Sequence, residues 1–599
     1  MKEELKYLKN LILNEQKTGN PYYDKPWENG KSYFERNPII PNFSVYNTIK
    51  LLNTFYQNKT AIDCIDLQVN YREMFNDSVT ISLALKELGV KKGDIVGICM
   101  PNYYQAVASF LACNRIGAIT TFINSSATKK EITDYLNLYE SNIFINFDST
   151  KENNLDIKKN TNVKYIITLS KENRSNLDLK SNYKITSDDD LIDFNSLESI
   201  SKYQKKHIEN VKGSDDSLIL YTSGTTGKPK SVVLTNRNIV AAGIYQKNTC
   251  LTDNVKGDKT LVCVPFTYPY GFCTSTLLSL MSNKTAILGP DLSKETINYY
   301  LSKKPNIIFG SPALLELIMN NAPNEQDLSS ISNFVSGGDF LTPQAAKRGQ
   351  EFFEKHGAKN IEISNGSGNA ETVSCGTGQT GIKIKPETAG VVLVGTDAMI
   401  IDPETMQQKN IGEEGMLCIS GEHVFKEYYK DEEKTKEAKF NYDGKTFFKT
   451  GTMGFIDDEG YFNLTGRMSR FYIMSTLNKV YLDHVQSIIS SFDCVKDCAV
   501  VKVVDEDMLY VNKVYIELND NYKNMDINEI ISYIDSLCRN SSPEDTKTEE
   551  QLMWYEVPKY IEIVDSLPRK PGTEKINYGL LEQDASEKKV KHLNIILKR

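Results

Sequence analysis

The chain has 599 residues, too many for one hydrophobic core, and its 40% hydrophobic and 25% charged content is ordinary for a soluble globular protein of two or three domains. Lys and Arg number 70 against 78 Asp and Glu, so the net charge of -8 excludes a global basic field for nucleic acid or anionic lipid and leaves only local basic pockets open. The 11 cysteines are scattered from Cys64 to Cys538, no apolar run is long enough for a membrane span, and the charged Met1-Lys-Glu-Glu-Leu-Lys start is no signal peptide; reduced thiols and a cytoplasmic location are expected.

Residues 1–44 read as an N-terminal arm: a charged helical pattern on Leu5, Leu8, Leu11 and Leu13, then Tyr22-Tyr-Asp-Lys-Pro-Trp27. Next, a buried strand, Ile95-Val-Gly-Ile-Cys99, leads through Pro101-Asn102 to an apolar helix over Ala106 to Ile116 and a second apolar stretch, Ala118 to Ile123. The same pattern continues at Ile143 to Phe147 and Tyr165 to Leu169, so the class is α/β with stacked sheets. Lys151 to Lys212, rich in Asn, Asp and Lys, reads as a loosely built connector.

The most informative stretch runs from Ser217 to Asn236. Two β-favouring runs, Leu218 to Thr222 and Ser231 to Leu234, flank Tyr221-Thr-Ser-Gly-Thr-Thr-Gly-Lys-Pro-Lys230. Gly224 and Gly227 permit close backbone approach, Thr222, Ser223, Thr225 and Thr226 supply hydroxyls, and Lys228 and Lys230 supply charge, a set suited to a polyphosphate. It is not the nucleoside-triphosphatase loop, because the Gly-Lys spacing differs and Pro229 stands where a helix should start.

This string resembles the phosphate loop of the adenylate-forming superfamily, which comprises acyl- and aryl-CoA synthetases, luciferases and peptide-synthetase adenylation domains. The resemblance extends over nearly the whole chain and is closest in style to fatty acyl-CoA ligases. It implies a large α/β N-terminal domain of stacked sheets with flanking helices and a small β subdomain (45–466), a hinge (467–470) and a small, mobile α+β C-terminal domain (471–599).

The remaining motifs take their roles from that resemblance. Pro265-Phe-Thr-Tyr-Pro-Tyr-Gly-Phe272 precedes a helical run, Ser275 to Met281, and corresponds to the acyl-pocket border, with Tyr268 and Tyr270 as lining residues; ordinary core is the competing reading. Gly310 in Ile307-Ile-Phe-Gly-Ser-Pro312 resembles the substrate wall, and Gly337, Gly338 and Asp339 resemble the adenine wall. Asn365-Gly-Ser-Gly-Asn-Ala-Glu371 stands where relatives have Tyr-Gly-x-Thr-Glu, which makes Glu371 the magnesium ligand and puts Asn365, Gly366, Ser367 and Ala370 beside the nucleotide. Ser367 replaces a stacking aromatic, and Ala370 replaces a threonine. In Phe448-Lys-Thr-Gly-Thr-Met-Gly-Phe455 the ribose-binding aspartate is Thr452. Arg467 resembles a ribose or phosphate contact, Arg470 the hinge pivot, and Lys575, in Leu567-Pro-Arg-Lys-Pro-Gly-Thr-Glu-Lys-Ile576, the catalytic lysine with Lys570 as its fallback.

These residues imply carboxylate activation by ATP and Mg2+ through an acyl-adenylate, followed by transfer to coenzyme A or to an acyl or peptidyl carrier protein. The alternative is an impaired homologue that binds an acyl group or a partner, since Thr452, Ser367 and Ala370 all depart from the motifs. No histidine is needed as a base, because carboxylates are already ionised at neutral pH.

Overall fold

A computed structural model describes residues 18–29, 31, 36–171, 191–201, 209–222, 230–250, 257–338, 341, 343–379, 382–467, 471–474, 479–490, 492–505, 509–539, 552–568, 576 and 578–587. The chain divides into two compact units, Met1–Tyr221 with Ser231–Gly466, and Arg467–Arg599 with Thr222–Lys230.

Two large sheets build the first unit. One runs in the order Glu362–Asn365, Asn333–Ser336, Ile307–Gly310, Lys259–Val262, Thr285–Leu288, Thr60–Cys64, Leu67–Asn70; it is parallel until its final antiparallel hairpin. The other orders Glu427–Tyr428, Lys230–Thr235, Asp216–Thr222, Ile119–Ile123, Ile95–Cys99, Ile143–Phe147, Tyr165–Leu169 and Leu191–Asp193, and is parallel from Asp216–Thr222 onward.

Strand residues alternate between two faces, and here both faces are apolar because helices cover each side. Val262 and Leu288 of one sheet and Val96 and Ile98 of the other join Ile81, Leu85, Val107 and Leu111 of the helices Tyr71–Glu87 and Tyr104–Ile116 in a single core. Their strand neighbours Leu261 and Ile287 face the opposite way, into a separate core with Ile297, Leu315 and Phe353 of outer helices.

Local signals start these helices. Asn70 and Glu73 exchange side-chain and backbone hydrogen bonds at 2.9 Å, a capping box that satisfies orphan donors at the start of Tyr71–Glu87. Asn114 is buried in the core, where it accepts from the Tyr46 amide at 2.8 Å and donates to Asn236 at 2.6 Å and Ser217 at 2.8 Å. That network fixes the root of the strand leading to the phosphate-loop string.

A smaller antiparallel sheet orders Asp397–Ile401, Gly415–Ser420, Lys445–Ile456 and Lys439–Tyr442, with Phe462–Arg467 paired to Lys445–Ile456. The arm packs against it: Trp27 is buried with Val391, Ile400, Leu417 and Phe462, and the Tyr22 hydroxyl donates to Asp443 at 2.9 Å. The arm's leucine pattern, Leu5 to Leu13, lies outside the described residues.

The second unit is α+β. Strands Val495–Asp505, Leu509–Leu518 and Tyr560–Ile563 form a sheet beside the hairpin Phe471–Ile473 and Lys479–Tyr481, with helices Leu482–Ser490, Ile527–Arg539 and Tyr578–Glu587.

Two local expectations need correction. The connector contains a helix, Lys151–Lys159, capped by Thr150, which buries Ile157; its polar composition reflects a single buried stripe. The helical run expected from Ser275 begins earlier, as a π-helix over Tyr270–Leu277 that continues into Leu278–Met281, a wider winding that frequently accompanies functional sites.

Candidate functional site

Three parallel strands end side by side. Gly310 is in register with Ser336, and Ser336 with Asn365, so the turns that follow each strand leave the sheet at one edge. Open α/β sheets bind ligands at that carboxyl edge. The Gly337 amide donates to Gly310 O at 2.9 Å and the Gly366 amide to Ser336 O at 3.0 Å, which joins the three glycine turns directly.

Tyr270 fits into the space that these glycines leave. A β-carbon at Gly337 would lie 2.8 Å from its ring, and its hydroxyl donates to Val335 O at 2.6 Å and to Gly310 O at 3.2 Å. Burial pushes its phenol well above the usual range, so it remains a donor. Phe272, by contrast, is fully buried among Phe110, Phe122 and Phe266, with ring centroids 4.6–5.1 Å away, and belongs to the core. Tyr268 is half-buried and lies near Tyr135 and Tyr221, which stack on each other at 4.4 Å.

After Asn365 the chain makes a tight hairpin. Asn365 itself turns inward, accepting from the Leu341 amide at 3.1 Å and donating to Leu341 O and Pro386 O, so it braces the wall. Ser367 pairs with Thr377 in an antiparallel bridge, and a β-carbon at Gly368 would stand 2.3 Å from the Ser374 carbonyl carbon, a contact only glycine avoids. Val373 and Ser374 both adopt left-handed backbone, φ 54° and 57°, a strained state for a β-branched residue. The strain is held by Ser374 N–H to Asn369 O at 2.7 Å, Cys375 N–H to Thr372 O at 2.8 Å and Thr274 Oγ1 to Val373 O at 3.1 Å.

This hairpin presents Glu371 from a short 3-10 turn, Ala370–Thr372, with Ala370 packed against the main core. Glu371 is only 8% exposed. Its Oε1 accepts the Tyr428 hydroxyl at 2.7 Å, and its backbone oxygen accepts the Phe425 amide at 2.7 Å. Burial and the neighbouring carboxylate raise the Tyr428 phenol well above its ordinary range, which keeps the proton on tyrosine. Lys439 supports the same turn by donating to Phe425 O at 2.7 Å and Lys426 O at 2.8 Å; burial pushes its ammonium down to about 8.

Tyr428 also ties this carboxylate to the strand Lys230–Thr235. Glu427–Tyr428 pairs with Lys230–Thr235, the strand that follows the loop string, with Tyr428 opposite Val232. In the other direction Asn369 donates to Thr450 O at 3.1 Å, and Thr450 Oγ1 accepts the Thr452 amide at 3.1 Å. The Glu371 hairpin, the Thr452 strand and the Tyr428 strand therefore form one connected group.

Of the remaining candidates, Thr222 closes the strand Asp216–Thr222, Lys230 opens the next strand, Gly338 has φ 86° and Arg467 ends the strand Phe462–Arg467. Ser223, Gly224, Thr225, Thr226, Gly227, Asp339, Arg470, Lys575 and its fallback Lys570 lie outside the described residues. Sequence reasoning missed Tyr428, Asn369 and Lys439. Asn369 stands inside the Asn365 to Glu371 motif without a role of its own, and nothing near Tyr428 or Lys439 in the sequence marks them, because they act on partners elsewhere in the chain.

The donor set around Glu371 is spare: among the described residues no group of His, Cys, Asp and Glu could by itself hold a metal ion. One buried carboxylate with a second oxygen beyond the tyrosine bond suits a hard cation that brings phosphate and water oxygens of its own.

The profile of the family described as "AMP-binding enzyme" matches residues 53–429. The long-chain-fatty-acid–CoA ligase of Bacillus subtilis (strain 168) is 26% identical over 566 residues, covering 92% of this chain and 96% of that one. A probable 4-coumarate–CoA ligase 1 of Dictyostelium discoideum is 25% identical over 502 residues, covering 82% and 89%. Among solved structures, the amide bond synthetase McbA from Marinactinospora thermotolerans superposes with a TM-score of 0.69 at 18% identity, over 91% of this chain and 100% of that one, a likeness of fold.

Proposed function

The chain belongs to the AMP-binding enzyme family, and from that premise we propose that it is an ATP-dependent acid–thiol ligase that joins a fatty or aryl carboxylate to coenzyme A. The observation that carries this reading is the single connected group of Gly310, Gly337, Gly366, Glu371 and Thr452 at the carboxyl edge of a parallel sheet.

Two half-reactions follow. A carboxylate oxygen attacks the α-phosphorus of ATP, and the bond to pyrophosphate breaks, leaving an acyl-adenylate. The coenzyme A sulfur then attacks the acyl carbon, AMP leaves with the electron pair, and the thiol proton passes to solvent. The protein's task is to align two anions and to offset charge as phosphorus becomes five-coordinate.

In this reading Thr222, Ser223, Gly224, Thr225, Thr226, Gly227 and Lys230 cradle the leaving pyrophosphate, and Gly337, Gly338 and Asp339 flank adenine. Thr452 and Arg467 face the ribose. Lys575 bridges the carboxylate and the α-phosphate, and rotation about Arg470 withdraws it before the thiol enters. Tyr268 and Gly310 border the acyl chain, while the Tyr270 bonds to Val335 and Gly310 favour a wall-bracing part for that residue. Glu371 would hold magnesium, which when bound would supply positive charge to the triphosphate; the Tyr428 bond to Oε1 leaves Oε2 for that purpose.

A second reading has its own support. Thr452 lacks the ribose carboxylate, and losing a pair of charge-assisted hydrogen bonds, each about 1.5–3 kcal/mol, weakens ATP binding by roughly two to four orders of magnitude unless other groups compensate. An impaired homologue would bind acyl groups without turnover. Carboxylate-dependent AMP formation with Mg2+ and a panel of fatty and aromatic acids, with and without coenzyme A, decides between them. AMP that requires both acid and coenzyme A supports the ligase. Because the first half-reaction releases pyrophosphate without any thiol, a carrier-protein acceptor is favoured by AMP turnover that needs acid and a phosphopantetheinyl carrier protein and is not supported by coenzyme A, and silence with no ATP binding by calorimetry supports the impaired homologue.

A further inference from the structure

The stretch from Arg36 to Ile62 contains no aspartate or glutamate, although the chain carries 78 acidic residues and a net charge of -8; it does contain Arg36, Lys50 and Lys59. Exposed apolar side chains concentrate in the same stretch. Of the 17 large hydrophobic residues that are exposed among those described, Ile39, Phe43, Leu51, Leu52, Phe55 and Tyr56 all fall here.

The geometry is that of a helix end. Helix Val45–Leu52 buries Val45, Tyr46 and Ile49 against the core, while Leu51 and Leu52 in its last turn face outward, 62% and 39% exposed. The following turn carries Phe55, 93% exposed, and is held by Thr54 N–H to Leu51 O, Tyr56 N–H to Asn53 O at 3.0 Å and Lys59 N–H to Tyr56 O at 2.9 Å. Asn53 is buried and donates to Leu280 O at 2.8 Å, which anchors the turn to the body of the domain. The backbone of the apolar tip is therefore already held, which lowers the cost of ordering it on docking.

Lysines flank it, two of them with partners in the protein: Lys59 pairs with Asp258 and Lys284 donates to Gly257 O. Lys284 interacts electrostatically with Lys59 and Lys247, and Asp258, the carboxylate among its neighbours, is paired with Lys59 at 2.9 Å. Lys50 lies in the same helical turn as Leu51 and is exposed.

We propose that this face, with Leu51, Leu52 and Phe55 at its tip and Lys50, Lys59, Lys247 and Lys284 around it, docks on an anionic lipid bilayer. Apolar side chains enter the headgroup region while lysine ammonium groups remain at the phosphate level, an arrangement typical of proteins that lie on a membrane. The tip is a convex helix end and turn. A deformable lipid surface accepts that shape directly, whereas a folded partner would need a matching hollow. The inference does not depend on the ligase reading, although a bilayer is also where apolar carboxylates partition.

The test is flotation of the full-length protein with vesicles of phosphatidylcholine alone or mixed with phosphatidylglycerol. Parent protein is expected to float with the anionic vesicles, to do so at least about tenfold less with neutral ones, and to detach as salt is raised. Phe55→Ser with Leu51→Gln is expected to lower vesicle partitioning by about tenfold or more, and Lys50→Glu severalfold. Both variants change exposed side chains, and unchanged melting temperatures establish that they fold. Absence of flotation by the parent, or equal flotation of the Phe55/Leu51 variant, overturns the proposal. So does a parent dimer in sedimentation that the same variant dissociates without lipid, which would assign the face to a second copy of the chain.

Discussion

Tyr428 donates its hydroxyl to Glu371 Oε1 at 2.7 Å, across 57 residues of sequence, and it does so from a strand paired with the one that follows the phosphate-loop string. A buried carboxylate with one oxygen so occupied has one orientation and one open oxygen. Replacing Tyr428 by Phe keeps the ring and removes the bond, which for a charged acceptor is worth about 1.5–3 kcal/mol. If Glu371 holds magnesium, the metal requirement of Tyr428→Phe rises roughly 10- to 100-fold, as for other groups that orient a ligand. Mn2+ titration followed by electron paramagnetic resonance, with ATP but without acid, measures this apart from turnover. Glu371→Gln is the companion: unchanged Mn2+ binding in that variant sinks the metal role, and an effect confined to Glu371→Gln sinks only the part given to Tyr428.

Thr452 is buried, with its amide held by Thr450. Restoring the carboxylate with Thr452→Asp is expected to tighten ATP binding by roughly tenfold or more, since two charge-assisted hydrogen bonds become available to the ribose. Calorimetry with ATP checks it. An unchanged affinity would mean that this strand position does not face the ribose.

Lys575→Ala should abolish acid-dependent pyrophosphate release by several orders of magnitude while leaving ATP binding within about a few fold, because the lysine acts on charge that develops as phosphorus is attacked. Lys570→Ala is expected to retain turnover. The reverse pattern would transfer the assignment to Lys570.

Gly368→Ala drives a methyl group against Ser374, where the β-carbon would sit 2.3 Å from the carbonyl carbon. With the hairpin already strained at Val373 and Ser374, a loss of about 2 kcal/mol or more is expected, together with weaker nucleotide binding, because Asn369 and Glu371 move with the loop. Urea unfolding and ATP calorimetry report the two effects separately.

His423 is fully buried beside Tyr245, and burial pushes its pKa from 6.5 down to about 4. Above pH 6.5 the ring is neutral folded and unfolded, so it adds no pH dependence. Between 6.5 and 4 only the unfolded chain takes up the proton, and stability falls with pH by up to about 3 kcal/mol, reached in full below 4. Melting temperatures measured across that window should therefore flatten in His423→Gln relative to the parent. An equal slope in both proteins would assign the acid sensitivity to other groups.

The sequence by itself determined the class and the family, because those signals are contiguous. Buried strands such as Ile95–Cys99 are written as unbroken apolar runs, and the Tyr221 to Lys230 string carries its glycines, hydroxyls and lysines within one loop. Helix caps such as Asn70 with Glu73 are local for the same reason. Tertiary structure alone decided what the described motif residues touch. Asn365 reads as a nucleotide contact, yet its amide is spent on Leu341 and Pro386; Tyr270 reads as a pocket wall, yet its hydroxyl ties two strand ends together. Sheet order is the physical cause. It brings Gly310, Ser336 and Asn365 into register and carries Tyr428 to Glu371, and hydrogen bonds between residues so far apart in the chain leave no periodicity in the sequence to read.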